Sequence, residues 1–319
     1  MLFHLDLNEK YAFISINGRG MESSLPDELQ IESDLWICRK FPFVIPDHWK
    51  EWMGEFFYDD VMESNLFLVA KCAAVNLESL DAINKKLTDK VYSLYWGILF
   101  ADAFRCKGTP YQITGERSEN GISIRQIVPL PEIFFTNGIH VCELTHDSAI
   151  NAQRLAAVFP ELSNQSRYLR FFRVLNSFYR ALQSNEVHDR LHQFVRCIEG
   201  FMLPEIGATR RQFVSRSSLF ISPFNSDLIG EIYDIRCDVE HMHSPIKSIR
   251  AANKGEILEN RTIISEHIAR YCVQRFLLNR ALWVHFEEDE RIRSFWSLPA
   301  DDQRSIWGSP FDLSQLVVL

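Results

Sequence analysis

Four prolines constrain the second half of this chain more than any other feature. Pro160, Pro204, Pro223 and Pro245 fall at or just beyond the ends of apolar-periodic segments, at about 149–160, 166–184, 187–203, 209–221, 226–243 and 262–290. Proline has no N–H and clashes with the preceding turn, so it sits at helix ends and not inside them. The pattern predicts consecutive helices with short connections, which pack as an antiparallel bundle.

The first half alternates instead. Residues 11–16 and 35–43 have strand patterns, the second cut by Pro42. Residues 77–104 read as a long helix, with Leu80, Ile83, Leu87, Val91, Leu94 and Ile98 on one stripe. Segments 111–114 and 121–128 flank a polar turn, which is a hairpin signal. Gly18-Arg19-Gly20 is read as turn chemistry, because it lacks the third glycine and the Lys-Ser/Thr of a phosphate loop.

The cations change near the same place. Eight of ten Lys precede residue 150, whereas only five of 24 Arg do. Asn137-Gly138 and the cluster Thr145-His146-Asp147-Ser148 supply boundary residues. The expected organisation is an α+β domain over 1–147, of unknown role, and an all-α helical bundle over 148–319. At 46% hydrophobic and 24% charged residues, with 24 Phe, both halves can bury a core. The seven cysteines are scattered without a Cys-x-x-Cys pair, which excludes a zinc ribbon and a disulfide framework and predicts free thiols. No apolar run reaches the ~20 residues of a membrane span. No signal-peptide pattern opens the chain, so a cytoplasmic protein without membrane contact is expected. A net charge of −8 argues against non-specific coating of nucleic acid.

Chemistry concentrates in 225–245. Asn225 or Ser226 can cap a helix, and Leu228, Ile232, Ile235, Val239 and Met242 form its buried stripe. Arg236, Glu240, His241 and His243 lie off that stripe, with both histidines in the last turn before Ser244-Pro245. Here Ile232-Tyr233-Asp234-Ile235-Arg236-Cys237-Asp238-Val239-Glu240-His241 resembles the Tyr-Asp-Ile-Arg-x-x-x-x-His signature of HEPN domains, particularly the Apea-like group. Arg196-Cys197-Ile198-Glu199 matches the apolar-Glu pair on that family's upstream helix. The resemblance covers about 150–290. The chain departs from it at Cys237, where a small or polar residue is common, and at Met242, where the Apea-like group often has Gly.

The resemblance implies a metal-independent endoribonuclease without a cofactor, acting as a homodimer that shares one active site. Toxin or anti-phage service follows from it, with RNA as substrate and an antitoxin or sensor as further partner. Arg236 and His241 are then the catalytic pair. Histidine titrates near neutral pH and can act as acid or base, and a guanidinium fork matches phosphate oxygens. Ideal helix geometry puts 236, 240 and 243 on one face, favouring His243, whereas the family pattern favours His241. His241 is taken here. Glu240, Tyr233, Asp234 and Glu199 are auxiliary candidates.

The alternative is a non-catalytic HEPN-like module binding nucleotide or protein. Residues 165–216 carry nine Arg against four acids, and Arg210, Arg211 and Arg216 are candidates for RNA contact. His188 and His192 have i, i+4 spacing but no third ligand, and are assigned to helix surface, with no metal site. The segment 262–290 is apolar on several sides, fitting burial in the bundle or in a dimer interface.

Overall fold

The computed structural model describes residues 3–18, 25–44, 46–102, 106, 108–134, 144–163, 165–245, 247, 249 and 253–316. The chain forms two compact units, Met1–Ile133 with Val141–Ala157, and Phe134–His140 with Val158–Leu319.

Unit 1 is built on one antiparallel sheet. Its strands are β1 (Glu9–Ile16), β2 (Glu28–Glu32), β3 (Leu35–Cys38), β4 (Leu66–Ala73), β5 (Tyr111–Ser118) and β6 (Gly121–Pro129), in the order β2-β3-β4-β1-β5-β6. β1 pairs with β4 and β5, so both of its edges are hydrogen-bonded, and it is buried almost throughout. Tyr11 and Phe13 point to one face, where Phe41, Phe43 and Phe67 pack edge-to-face against them and Trp49 stacks on Tyr11. Helices α1 (His48–Met53) and α2 (Glu55–Met62) contribute Trp49, Met53 and Val61 to that cluster. Helix α3 (Ala82–Ala101) packs against β1, β4 and β5. Its N-cap Asp81 binds the fully buried Lys10 of β1 at 2.9 Å.

The structure moves several expected boundaries. The 35–43 strand ends at Cys38, and the 77–104 helix is Ala82–Ala101, set by the Asp81–Asn84 capping box. The Thr145–Ser148 pair is a second capping box, opening α4 (His146–Ala156). α4 packs on α3 through Gly97, where a Cβ would lie 2.1 Å from the Ala152 carbonyl oxygen. That close approach holds α4 in unit 1, and the division of contacts comes after Ala157 and not at 147/148. Asn137 and Gly138 lie outside the described residues, as do Arg19 and Gly20.

Unit 2 is mostly helical. It comprises α5 (Phe159–Ser163), α6 (Leu169–Gln183), α7 (Val187–Met202), α8 (Thr209–Ser217), α9 (Ser226–Glu240), α10 (Lys254–Leu278), α11 (Arg280–Trp283), α12 (Asp289–Trp296) and α13 (Ala300–Trp307). A two-residue parallel pair, β7 (Ile221–Ser222) with β8 (Phe311–Asp312), joins distant segments. α7 is central, packed against α6, α9 and α10. An aromatic core runs through Phe171, Phe201, Phe276, Phe286 and Trp307, with the Phe171 and Phe276 rings 4.1 Å apart.

The apolar segment expected as one helix over 262–290 ends at Leu278, where the Asn279 side chain caps α11. Ile263, Ile264, Ile268, Val273 and Phe276 are all buried within the unit. Those residues fill the bundle, while Leu278 and Val284 of the same segment are exposed. The described cysteines are free, and among the described residues no helix is long and apolar enough to cross a membrane.

Candidate functional site

α9 begins where its sequence predicts. The Asn225 side chain accepts from the N–H groups of Asp227 and Leu228, and Ile229, Ile232, Tyr233 and Ile235 are buried. Its end differs. Expected to run to 243, the helix stops at Glu240, with His241 as C-cap and Met242 left-handed at φ 56°. The Met242 N–H donates to Val239 O at 3.1 Å and the His243 N–H to Asp238 O at 2.7 Å. These bonds form a Schellman closure, and Met242 holds its C′ position, where glycine carries no Cβ penalty. The departure at 242 therefore stands where the backbone asks for glycine. Met242→Gly should stabilise the chain by up to about 1 kcal/mol, read as a higher denaturant midpoint; a lower one would contradict this account of the turn.

Arg236 lies on α9 opposite Glu199 of α7. Its Nη2 donates to Glu199 Oε2 at 3.0 Å and lies 3.6 Å from Glu240 Oε2. Glu240 Oε2 in turn accepts from His192 Nε2 at 2.5 Å. Burial raises the Glu199 pKa above the usual glutamate value, with Arg236 opposing it. Burial works against the Arg236 charge, but Glu199 and then Glu240 outweigh it, and its pKa is raised. Glu240 is held below the ordinary value, chiefly by the His192 hydrogen bond. The buried Nε of Arg236 has no hydrogen-bond partner.

Arg236 and Glu199 sit in a cleft of about 380 Å³, lined also by Arg170, Arg173 and Ser177 of α6 and Arg196 of α7. The helices meet closely beside it: a Cβ on Gly200 would lie 2.2 Å from Val174 Cγ2. Four arginines against one glutamate make the cleft cationic.

The other candidates distribute unevenly. Asp234 does not orient Arg236; it forms a two-bond pair with Arg210, at 2.7 and 2.9 Å. Tyr233 is buried, its ring under the Arg236 guanidinium at 5.9 Å. Arg216 donates to the Met202 and Leu203 carbonyls at the end of α7 and stacks on Trp296, which leaves it little to offer RNA. Arg211 is exposed beside Arg210 on α8. His241 and His243 are both exposed. His243 Nδ1 is 3.7 Å from Asp238 Oδ1, whereas the His241 ring has no hydrogen bond or ion pair among the described residues.

Sequence reasoning placed His192 on helix surface; the structure ties it through Glu240 to Arg236. Its i, i+4 relation to His188 drew attention to metal binding, and no group of three metal-ligating side chains occurs among the described residues. The Arg170 and Arg173 wall was legible only as part of an arginine excess. Comparison of the chain with protein-family models, with curated proteins and with solved structures gives no match.

Proposed function

We propose that unit 2 is a HEPN-type endoribonuclease module that cleaves RNA through the 2′-hydroxyl, without a metal, in a site shared by two copies of the chain. The observation that carries this reading is Arg236 held by Glu199 in an arginine-walled cleft, which joins the signature arginine to the auxiliary glutamate of the upstream helix. Arg236 stabilises the charge that builds on the scissile phosphate. Its anionic neighbours fix the guanidinium in place. His241, exposed and unbound, transfers the proton. Arg236 faces the α6–α7 cleft while His241 stands at the end of α9, so the second copy brings the complementary group. An antitoxin or sensor partner would restrain such an activity in the cell.

One observation favours a second reading, a non-catalytic module binding nucleotide or protein. Arg236 is flanked by two carboxylates, which is also how a structural arginine is held. Incubating the purified chain with total RNA in EDTA separates the readings. Cleavage should occur, and Arg236→Gln should lower it by about 10²–10³-fold while the circular dichroism spectrum stays that of the parent. An intact RNA pool at every protein concentration would sink the nuclease reading.

A further inference from the structure

The reading above uses Arg236 and leaves most of its cleft without a task. We infer that the rest of this cleft is a second phosphate subsite, in which Arg173 and Arg196 hold a single RNA strand beside the scissile bond; the inference rests on the nuclease reading. Its cations differ in how far they are already neutralised. Arg170 is bound by the Asp289 carboxylate through two hydrogen bonds, at 2.7 and 3.2 Å, and Arg236 by Glu199. Arg173 and Arg196 are exposed and have neither a hydrogen bond nor an ion pair among the described residues. They feel only longer-range attraction, Arg173 to Asp289 and Arg196 to Glu199 and Glu240.

Two unspent guanidinium groups over a concave surface suit a phosphate, which accepts from several donors at once. They come from different helices, α6 and α7, and those helices are locked together where Gly200 meets Val174. The two cations are therefore held on a rigid base. A cleft of about 380 Å³ takes the backbone of one strand. A double helix presents a broad groove surface instead and would be met on a convex or flat face. The ligand class is single-stranded RNA, with neighbouring phosphates on Arg236 and on the Arg173–Arg196 pair.

The test measures binding apart from cleavage. The probe is a short fluorescent oligouridylate with 2′-O-methyl groups, which blocks attack by the 2′-oxygen, and its affinity is followed over a salt series. Each phosphate contact on a single strand contributes about 0.7 to the slope of log affinity against log salt. Arg173→Gln with Arg196→Gln removes one phosphate contact and should make that slope shallower by about 0.7, while Arg173→Lys with Arg196→Lys should keep it. Both side chains are exposed, so the fold should survive either pair. An unchanged slope in the Gln pair, with RNA still cleaved by the parent, overturns the subsite alone. A shallower slope with no cleavage by the parent overturns the nuclease reading and keeps the strand-binding cleft. Displacement of the probe by uridine monophosphate at the same concentration as by unlabelled oligomer would show a mononucleotide site and also overturn the inference.

Discussion

Glu266→Ala should destabilise unit 2 by about 3–5 kcal/mol. Glu266 on α10 is fully buried between Arg190 of α7 and Arg270 one turn along its own helix, at 3.4 and 2.8 Å. Both arginines are themselves almost wholly buried. Removing the carboxylate leaves two like charges facing each other out of water, and burial already lowers the Arg190 pKa. The Arg270 guanidinium also stacks on Phe178, 5.4 Å from the ring, a contact that does not neutralise its charge. The effect should be read from Trp fluorescence in a urea series, since Trp283, Trp296 and Trp307 lie in this unit. Replacing all three residues together, Arg190→Met, Glu266→Leu and Arg270→Met, should recover most of the loss, because an apolar trio avoids the desolvation cost. A Glu266→Ala midpoint equal to the parent's would show that the trio is solvated and the account wrong.

The helices of unit 2 were legible because their signals are local. A proline, a cap and a three-four apolar stripe all act within a few residues, and Asn225 bonds where its type predicts. β4 was not legible. Its sequence, Leu-Phe-Leu-Val-Ala-Lys-Cys-Ala, is buried on both faces over its first five residues and so does not alternate. The expected antiparallel bundle of long helices is also interrupted: after α10 the chain breaks into short helices that close the aromatic core. What decides those breaks is a set of contacts between distant residues. The Asn279 side chain donates to Ile306 O at 2.8 Å, and Arg275 donates to Trp307 O.

The site was legible in part for the same reason. Arg236 and Glu199 are brought together from 37 residues apart, and only the resemblance connected them in the sequence. Spacing suggested that Asp234 could orient Arg236, yet Arg210 occupies it from α8. The ideal-helix argument for His243 failed because it assumed that α9 continues. Once Met242 turns left-handed, the face shared by 236, 240 and 243 no longer exists at 243.

That ending bears directly on which histidine moves the proton. Loss of a positioned acid or base typically lowers a rate by about 10²–10⁴-fold. His241→Ala should therefore cost that much RNA cleavage, and His243→Ala should cost far less, since His243 is drawn toward Asp238 while the His241 ring is unbound. The reverse pattern would move the role to His243. If the site is shared, neither an Arg236→Gln chain nor a His241→Ala chain cleaves alone. Mixed together they should regain part of the activity, because the shared site of a heterodimer then holds one intact arginine and one intact histidine. The specific activity should also fall on dilution, since the competent species dissociates by mass action. Activity per chain that stays constant at every dilution, with no recovery on mixing, would place both groups in a single chain and end the shared-site mechanism.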